Sequence, residues 1–242
     1  MGERKKKKNE NIEEARSLLS KCILFRNMDI LQREGLLSRV RVLKYGDSEI
    51  IFRRGDTASE LMALLDGSVR ISVTTPDDKE LVLAILEPGD IFGEIAVLDG
   101  RERSADAVSA GGCTLAVLAR NDFLSFLSEN PSAWRDLVKV LCDRLRRTDE
   151  LLTEIALLQV PMRLAKALLR IAKPNTDIAG MPKQTSLSQR GIANLIGATR
   201  ESVNKCLGGW QRAQIIDVNE GTITVRDEVS LRRLADFTTD TK

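Results

Sequence analysis

The hydrophobic pattern of this chain changes period at Asn130-Pro131, and any fold must satisfy both halves. Upstream, between about residues 40 and 120, short β-branched runs at 49–52, 68–74 and 81–86 are punctuated by Gly46, Gly55, Gly67 and Gly89. Short strands with such turn signals indicate a small all-β roll or barrel. Downstream, Val138, Leu141, Leu145, Thr148, Leu152 and Ile155 recur at alternating spacings of three and four, which is a heptad seam. A second stripe, Leu137, Leu141, Arg144, Leu151 and Leu158, lies beside the first. One long helix can therefore cover its own roll and still meet a partner helix in a parallel dimer. The alternative is a helix packed only within one subunit, which the doubled stripe disfavours. Pro161 is expected to end or kink this helix.

Beyond it, residues 162–173 form an amphipathic helix, broken at Lys173-Pro174-Asn175 and by a polar, Gly/Pro-bearing stretch to Ser186. A compact helical module follows over residues 187–210. The runs 215–218 and 222–225 flank an Asn219-Glu220-Gly221 turn and read as a hairpin wing. The expected fold class is α+β: an N-terminal double-stranded β-roll (jelly roll), a long dimerisation helix and a C-terminal winged helix-turn-helix. The expected boundaries are a basic tail over 1–20, a roll over 21–130, the dimerisation helix over 131–160 and the DNA-binding domain over 161–242.

Composition narrows the chemistry. A chain of 242 residues can form two ordinary domains. It contains no histidine, which removes the commonest general base and metal ligand. No nucleophile elbow, HExxH or phosphate-binding GxxxxGK[ST] run is present, so no catalytic residue is assigned and an enzyme is not expected. Cys22, Cys113, Cys142 and Cys206 form no CxxC pair, so neither a disulfide framework nor a metal site is suggested. Lys and Arg exceed Asp and Glu by only two, 37 against 35, so net charge alone does not announce a nucleic-acid binder. Lys5, Lys6, Lys7 and Lys8 could touch DNA phosphates or serve as a solubilising tail. With no apolar run long enough for a membrane span or a signal core, the protein is expected in the cytoplasm.

The segment from Phe92 to Ala105 reads Phe-Gly-Glu-Ile-Ala-Val-Leu-Asp-Gly-Arg-Glu-Arg-Ser-Ala. A cyclic nucleotide presents one phosphate charge in a tight ring, a ribose 2′-hydroxyl and a flat base. Arg103 forks two donors onto phosphate oxygens, Ser104 adds a hydroxyl, the backbone at Gly93 permits close approach and Glu94 accepts from the 2′-hydroxyl. Thr148 interrupts an aliphatic seam, where a polar residue costs stability unless it specifies something. This segment looks like the phosphate-binding cassette of cyclic nucleotide-binding domains, as found in the cyclic AMP receptor protein family. The resemblance implies that Gly93, Glu94 and Ile95 contact ribose, that Arg103 and Ser104 hold the cyclic phosphate, and that Thr148 meets the base. Asp149 stands where the family carries a serine, a departure that bears on base selectivity. Cyclic AMP is the expected ligand, with cyclic GMP as the alternative and no cofactor.

From Gln189 the chain runs QRGIANLIGATRESVNKCL. Ala193 supplies a small residue at a helix crossing, Gly197 falls at the turn, and Ile192, Ile196, Ala198, Val203 and Cys206 take inward positions, the spacing of a DNA-binding helix-turn-helix. Thr199 suits an N-cap, which places Arg200 and Glu201 in the first turn of the second helix. Arg200 can bond a guanine, Glu201 a cytosine amine and Lys205 a further guanine. Ser188 and Gln189 join Thr199 in the DNA-contacting set. The segment resembles the recognition helix of the same family, which implies a palindromic operator with TGTGA-like half-sites and, for an activator, contact with RNA polymerase. Lys205 replaces an arginine and cannot fork. Gly208-Gly209 should weaken the distal end of the helix, by about 1 kcal/mol per glycine against alanine. The leading reading is a ligand-gated homodimeric transcription regulator without a membrane partner. A ligand-independent regulator, or one sensing another small molecule, is the second reading, and a regulatory module of an enzyme the third.

Overall fold

The computed structural model describes residues 35–36, 38–174, 183–185, 187–219 and 221–236. The lysine run, Cys22 and Glu220 of the wing turn lie outside the described residues. The chain divides into two compact units, residues 1–73 with 83–146 and residues 74–82 with 147–242.

The first unit is built mainly on strands β1 (Arg41–Tyr45), β2 (Ile50–Phe52), β3 (Glu60–Thr74), β4 (Glu80–Leu86), β5 (Ile91–Phe92) and β6 (Asp106–Ala119), of which Thr74 and residues 80–82 are counted with the second. They form one sheet in the order β1-β6-β3-β4, with β2 on β6 and β5 on β3. The run 61–65 is apolar without interruption because both of its faces are buried. Leu61, Ala63 and Leu65 pack with Val97, Phe123, Leu127 and Leu137, while Met62 and Leu64 turn the other way onto Leu86, Phe92, Leu115 and Val117. Burying each leucine in this way contributes roughly 1.5–3 kcal/mol. Helix α1 (Glu94–Asp99) follows β5, and α2 (Arg120–Glu129) follows β6. Asn130 ends α2, its side-chain amide donating to the Phe126 carbonyl at 2.8 Å.

Pro131 opens the long helix α3 (Pro131–Leu157), where a missing N–H costs nothing. Ala133 and Leu137 anchor it on the roll. On another face Val138, Leu145 and Leu152 stay 52%, 62% and 65% exposed, a line of apolar side chains that no described residue covers. Pro161 neither kinks nor ends this helix. α3 stops at Leu157, and Pro161 sits in the first turn of α4 (Val160–Ile171), whose N-cap is Gln159; at that position proline is pre-set for helix and displaces no hydrogen bond.

The second unit combines α4, α5 (Gln189–Ile196), α6 (Arg200–Arg212) and α7 (Glu228–Ala235) with β7 (Lys173–Pro174), β8 (Lys183–Thr185), β9 (Ile216–Asn219) and β10 (Thr222–Val225). Its sheet runs β7-β8-β10-β9, with Ile223 of β10 opposite Val218 of β9 and Thr185 of β8. Leu164 and Leu168 of α4, Ile192 and Ile196 of α5, Val203 and Leu207 of α6, Ile216, Ile223 and Leu231 share one core. The distal end of α6 does not fray at its glycine pair. The helix continues through Gly208 and Gly209 to Arg212 because Leu207 and Trp210 on either side are buried. No helix among the described residues is long and apolar enough to cross a membrane.

Candidate functional site

Two groups of side chains carry the chemistry, one in each unit. In the first, Arg103 stands on the loop before β6, and its backbone is clamped to the loop after β2. Gly55 N–H donates to the Arg103 carbonyl and Arg103 N–H to the Asp56 carbonyl, both at 2.9 Å. The side chain turns inward until it is 5% exposed. Its guanidinium lies 4.3 Å from the Phe52 ring centroid and donates to the carbonyls of Gly93 at 2.8 Å and Glu60 at 2.7 Å. Burial pushes the Arg103 pKa down, while Glu60, Glu94 and Asp56 pull it back up; an arginine so placed keeps its charge.

Gly93, the N-cap of α1, has φ 77 and no side-chain cap over the first-turn amides. A Cβ at this residue would fall 2.4 Å from Arg103 Nη1, so only glycine admits both the left-handed backbone and the arginine beside it. Glu94 follows, 1% exposed, with Oε1 accepting from Arg144 Nη1 of α3. Arg144 Nη2 donates to the Ile91 carbonyl. Two atoms of this cluster, Glu94 Oε2 and Arg103 Nε, are buried without a hydrogen-bond partner among the described residues. Such atoms carry a cost of about 1–3 kcal/mol each unless another group satisfies them. Gly93, Glu94 and Arg103 are thus brought together, while Ile95 and Ser104, which directly follow Glu94 and Arg103 in sequence, are exposed.

Thr148 and Asp149 are both exposed on the part of α3 that belongs to the second unit. The residue missed in the sequence is Arg144. Its signal was present, a charged side chain in the stripe that faces the roll; Glu94 is the buried acceptor that gives it a role.

In the second unit the helix-turn-helix is set by its caps. Ser188 Oγ accepts from Gly191 N–H at 3.0 Å and Thr199 Oγ1 from Ser202 N–H at 3.1 Å. Gly197 closes α5 with φ 60, and Ala198 N–H returns to the Ala193 carbonyl at 2.9 Å. Arg163 of α4, a buried residue with no distinguishing sequence signal, donates to the carbonyls of Ile196 at 2.8 Å and Gly197 at 3.3 Å and so holds the turn. Gln189 is half-buried at the start of α5. Arg200, Glu201 and Lys205 are exposed along α6 and make no ion pair with any described residue. Among the described residues no group of three or more His, Cys, Asp or Glu side chains could hold a metal ion.

Comparison with known proteins agrees with this division. Residues 42–130 match the cyclic nucleotide-binding domain, and residues 162–234 match the Crp-like helix-turn-helix domain. The chain is 31% identical over 191 residues to the cyclic AMP receptor protein of Thermus thermophilus, covering 79% of this chain and 86% of that one. It is 29% identical over 220 residues to a CRP-like cAMP-activated global transcriptional regulator of Mycobacterium tuberculosis, covering 90% and 98%. The c-di-GMP responsive global regulator CLP of Xanthomonas campestris has the same fold, with a TM-score of 0.74 and 24% identity over 81% of this chain and 99% of that one.

Proposed function

Because the chain belongs to the cyclic AMP receptor protein family of transcription regulators, we propose that cyclic AMP binds its roll and thereby controls operator binding by a homodimer. It is a DNA-binding regulator with a cyclic nucleotide-binding domain, not an enzyme. The observation that carries the finer reading is the pair of buried orphan atoms, Glu94 Oε2 and Arg103 Nε. One is an acceptor and the other a donor, which matches a ligand offering a ribose hydroxyl beside a phosphate. Arg103 already donates to two neutral carbonyls, and a phosphate would replace them with stronger charge-assisted partners. Ser104 and Ile95 then supply a hydroxyl and an apolar contact, and Thr148 and Asp149 meet the base.

The exposed line of Val138, Leu145 and Leu152 supports a homodimer through residues 131–160, since burying three such side chains stabilises by several kcal/mol in total. We take residues 21–130 as the roll and 161–242 as the DNA-binding domain, with Ser188, Gln189, Thr199, Arg200, Glu201 and Lys205 on a palindromic operator of TGTGA-like half-sites. RNA polymerase is the further partner if the bound protein activates. A second reading, a regulator that needs no ligand, is favoured by the internal partners of Glu94 and Arg103, which satisfy much of both charges within the chain. Calorimetric titration with cyclic AMP and cyclic GMP, followed by DNA binding with and without each, separates the two. Saturable cyclic AMP binding that tightens DNA retention is expected. DNA binding of equal strength in all conditions selects the ligand-independent regulator.

A further inference from the structure

The exposed face of α6 carries more than its terminal charges. Val203, Leu207 and Trp210 are buried on one side. Glu201, Asn204, Lys205 and Gly208, at spacings of three, four and seven, lie together on the other and are all exposed. Asn204 stands between the two charged side chains. Its amide makes no hydrogen bond with any described residue, whereas Thr199 and Ser202 at the start of α6 bond to each other through both backbone and side chain. Asparagine is a weaker helix former than alanine, and inside a helix its usual compensation is a local hydrogen bond that is not made here. The side chain is thus a two-sided hydrogen-bonding group aimed away from the protein.

We propose that Asn204 is a fourth base-reading side chain of α6 and selects an adenine next to the base pair read by Glu201. This rests on the reading of α6 as the helix that enters the major groove. The chemistry discriminates among bases. An asparagine amide donates and accepts in one plane, which fits adenine N7 and N6 together; guanine offers two acceptors at that edge and the pyrimidines one polar group each. The geometry fixes the neighbour, because three residues rise about 4.5 Å along the helix, little more than one base step. Lys205 on the adjoining position cannot make the same paired contact, since an ammonium only donates. The adenine is therefore assigned to Asn204 and not to the lysine.

Selection from a random DNA pool by the full-length protein, run with and without cyclic AMP, tests the assignment alongside Asn204→Ala and Glu201→Ala. The expected result is that Asn204→Ala loses an adenine preference at one position in each half-site and binds the wild-type consensus roughly 10-fold more weakly, while the other positions keep their preference. Replacing that adenine by 7-deazaadenine removes one acceptor and should weaken the wild type but leave Asn204→Ala unchanged. Uniform weakening across all sequences would make Asn204 a backbone contact and overturn the proposal. An unchanged preference in Asn204→Ala with an altered one in Glu201→Ala overturns this assignment alone. No change in either variant overturns it together with the reading of α6.

Discussion

The two charged sites of this molecule are built on opposite principles. In the roll, Glu94 and Arg103 are buried and held by the chain's own groups, a guanidinium from α3 on the one hand and two backbone carbonyls on the other. On α6, Arg200, Glu201 and Lys205 stand in solvent with no ion pair to any described residue, even though Glu201 and Lys205 have the favourable i, i+4 order. A buried site must exchange existing bonds to admit a ligand, so binding there is coupled to rearrangement of the elements that supply them. An exposed site needs no such exchange and can be altered without touching the fold. The same kind of residue is therefore expected to report on stability in one unit and on recognition in the other.

The largest effect should come from Arg103→Ala. Two charge-assisted contacts to phosphate, at about 1.5–3 kcal/mol each, would be lost from ligand affinity. Titration calorimetry reads this directly, and an affinity equal to wild type removes the proposed phosphate site. Next comes Arg144→Ala, which leaves the Glu94 carboxylate buried without its partner; breaking a buried pair costs about 3–5 kcal/mol, and the partial exposure of Arg144 puts the expected loss at the lower end. Urea unfolding is the measurement. The double variant Glu94→Gln with Arg144→Ala should lose much less than the sum of the two single changes. A cost for Arg144→Ala below the scatter of the assay would erase the contrast between the two sites.

Glu201→Ala sharpens the contrast from the other side. It should relax selection at one base pair and weaken the preferred sequence by roughly 1–3 kcal/mol, with unfolding free energy within about 0.5 kcal/mol of wild type. A variant that selects the same palindrome with the same stringency rules out base reading by this residue. Thr199→Ala mixes the two behaviours. Loss of the Ser202 cap should lower stability by about 1 kcal/mol and weaken all DNA sequences alike, which a competition assay with specific and unrelated duplexes resolves. The smallest effect is that of Asp149→Ser. An aspartate accepts only, so it pairs with the amine of adenine or the donors of guanine, and the substitution should shift the ratio of cyclic AMP to cyclic GMP affinity by less than about 1 kcal/mol. An identical ratio in both proteins would show that Asp149 does not read the base.

The fold was legible wherever periodicity alone decides burial. The glycine-punctuated strands, the heptad stripe of α3 and the caps at Ser188 and Thr199 are local signals, and they reappear in β3, α3, α5 and α6. What escaped depended on contacts between distant parts of the chain. The partnership of Arg144 with Glu94 joins residues 50 apart, and that of Arg163 with Ile196 joins residues 33 apart, so neither spacing is written in any window of the sequence. Pro161 was ambiguous for a different reason, because the same ring that breaks one helix suits the first turn of the next. Gly208 and Gly209 looked weakening by propensity, and the burial of Leu207 and Trp210 overrode it.

The interlock of Gly93 and Arg103 also constrains how this loop can change in descent. Any side chain at residue 93 meets the guanidinium at 2.4 Å and must also adopt φ 77; shortening Arg103 relieves only the first of these. The order of loss is therefore asymmetric. A lineage released from selection for the ligand can discard the arginine in one step, losing its bonds to the Gly93 and Glu60 carbonyls but straining no backbone angle, whereas replacing the glycine first is strained whichever residue stands opposite. Glycine without arginine is the expected intermediate among divergent relatives, and a bulky residue facing an intact arginine should be absent from them.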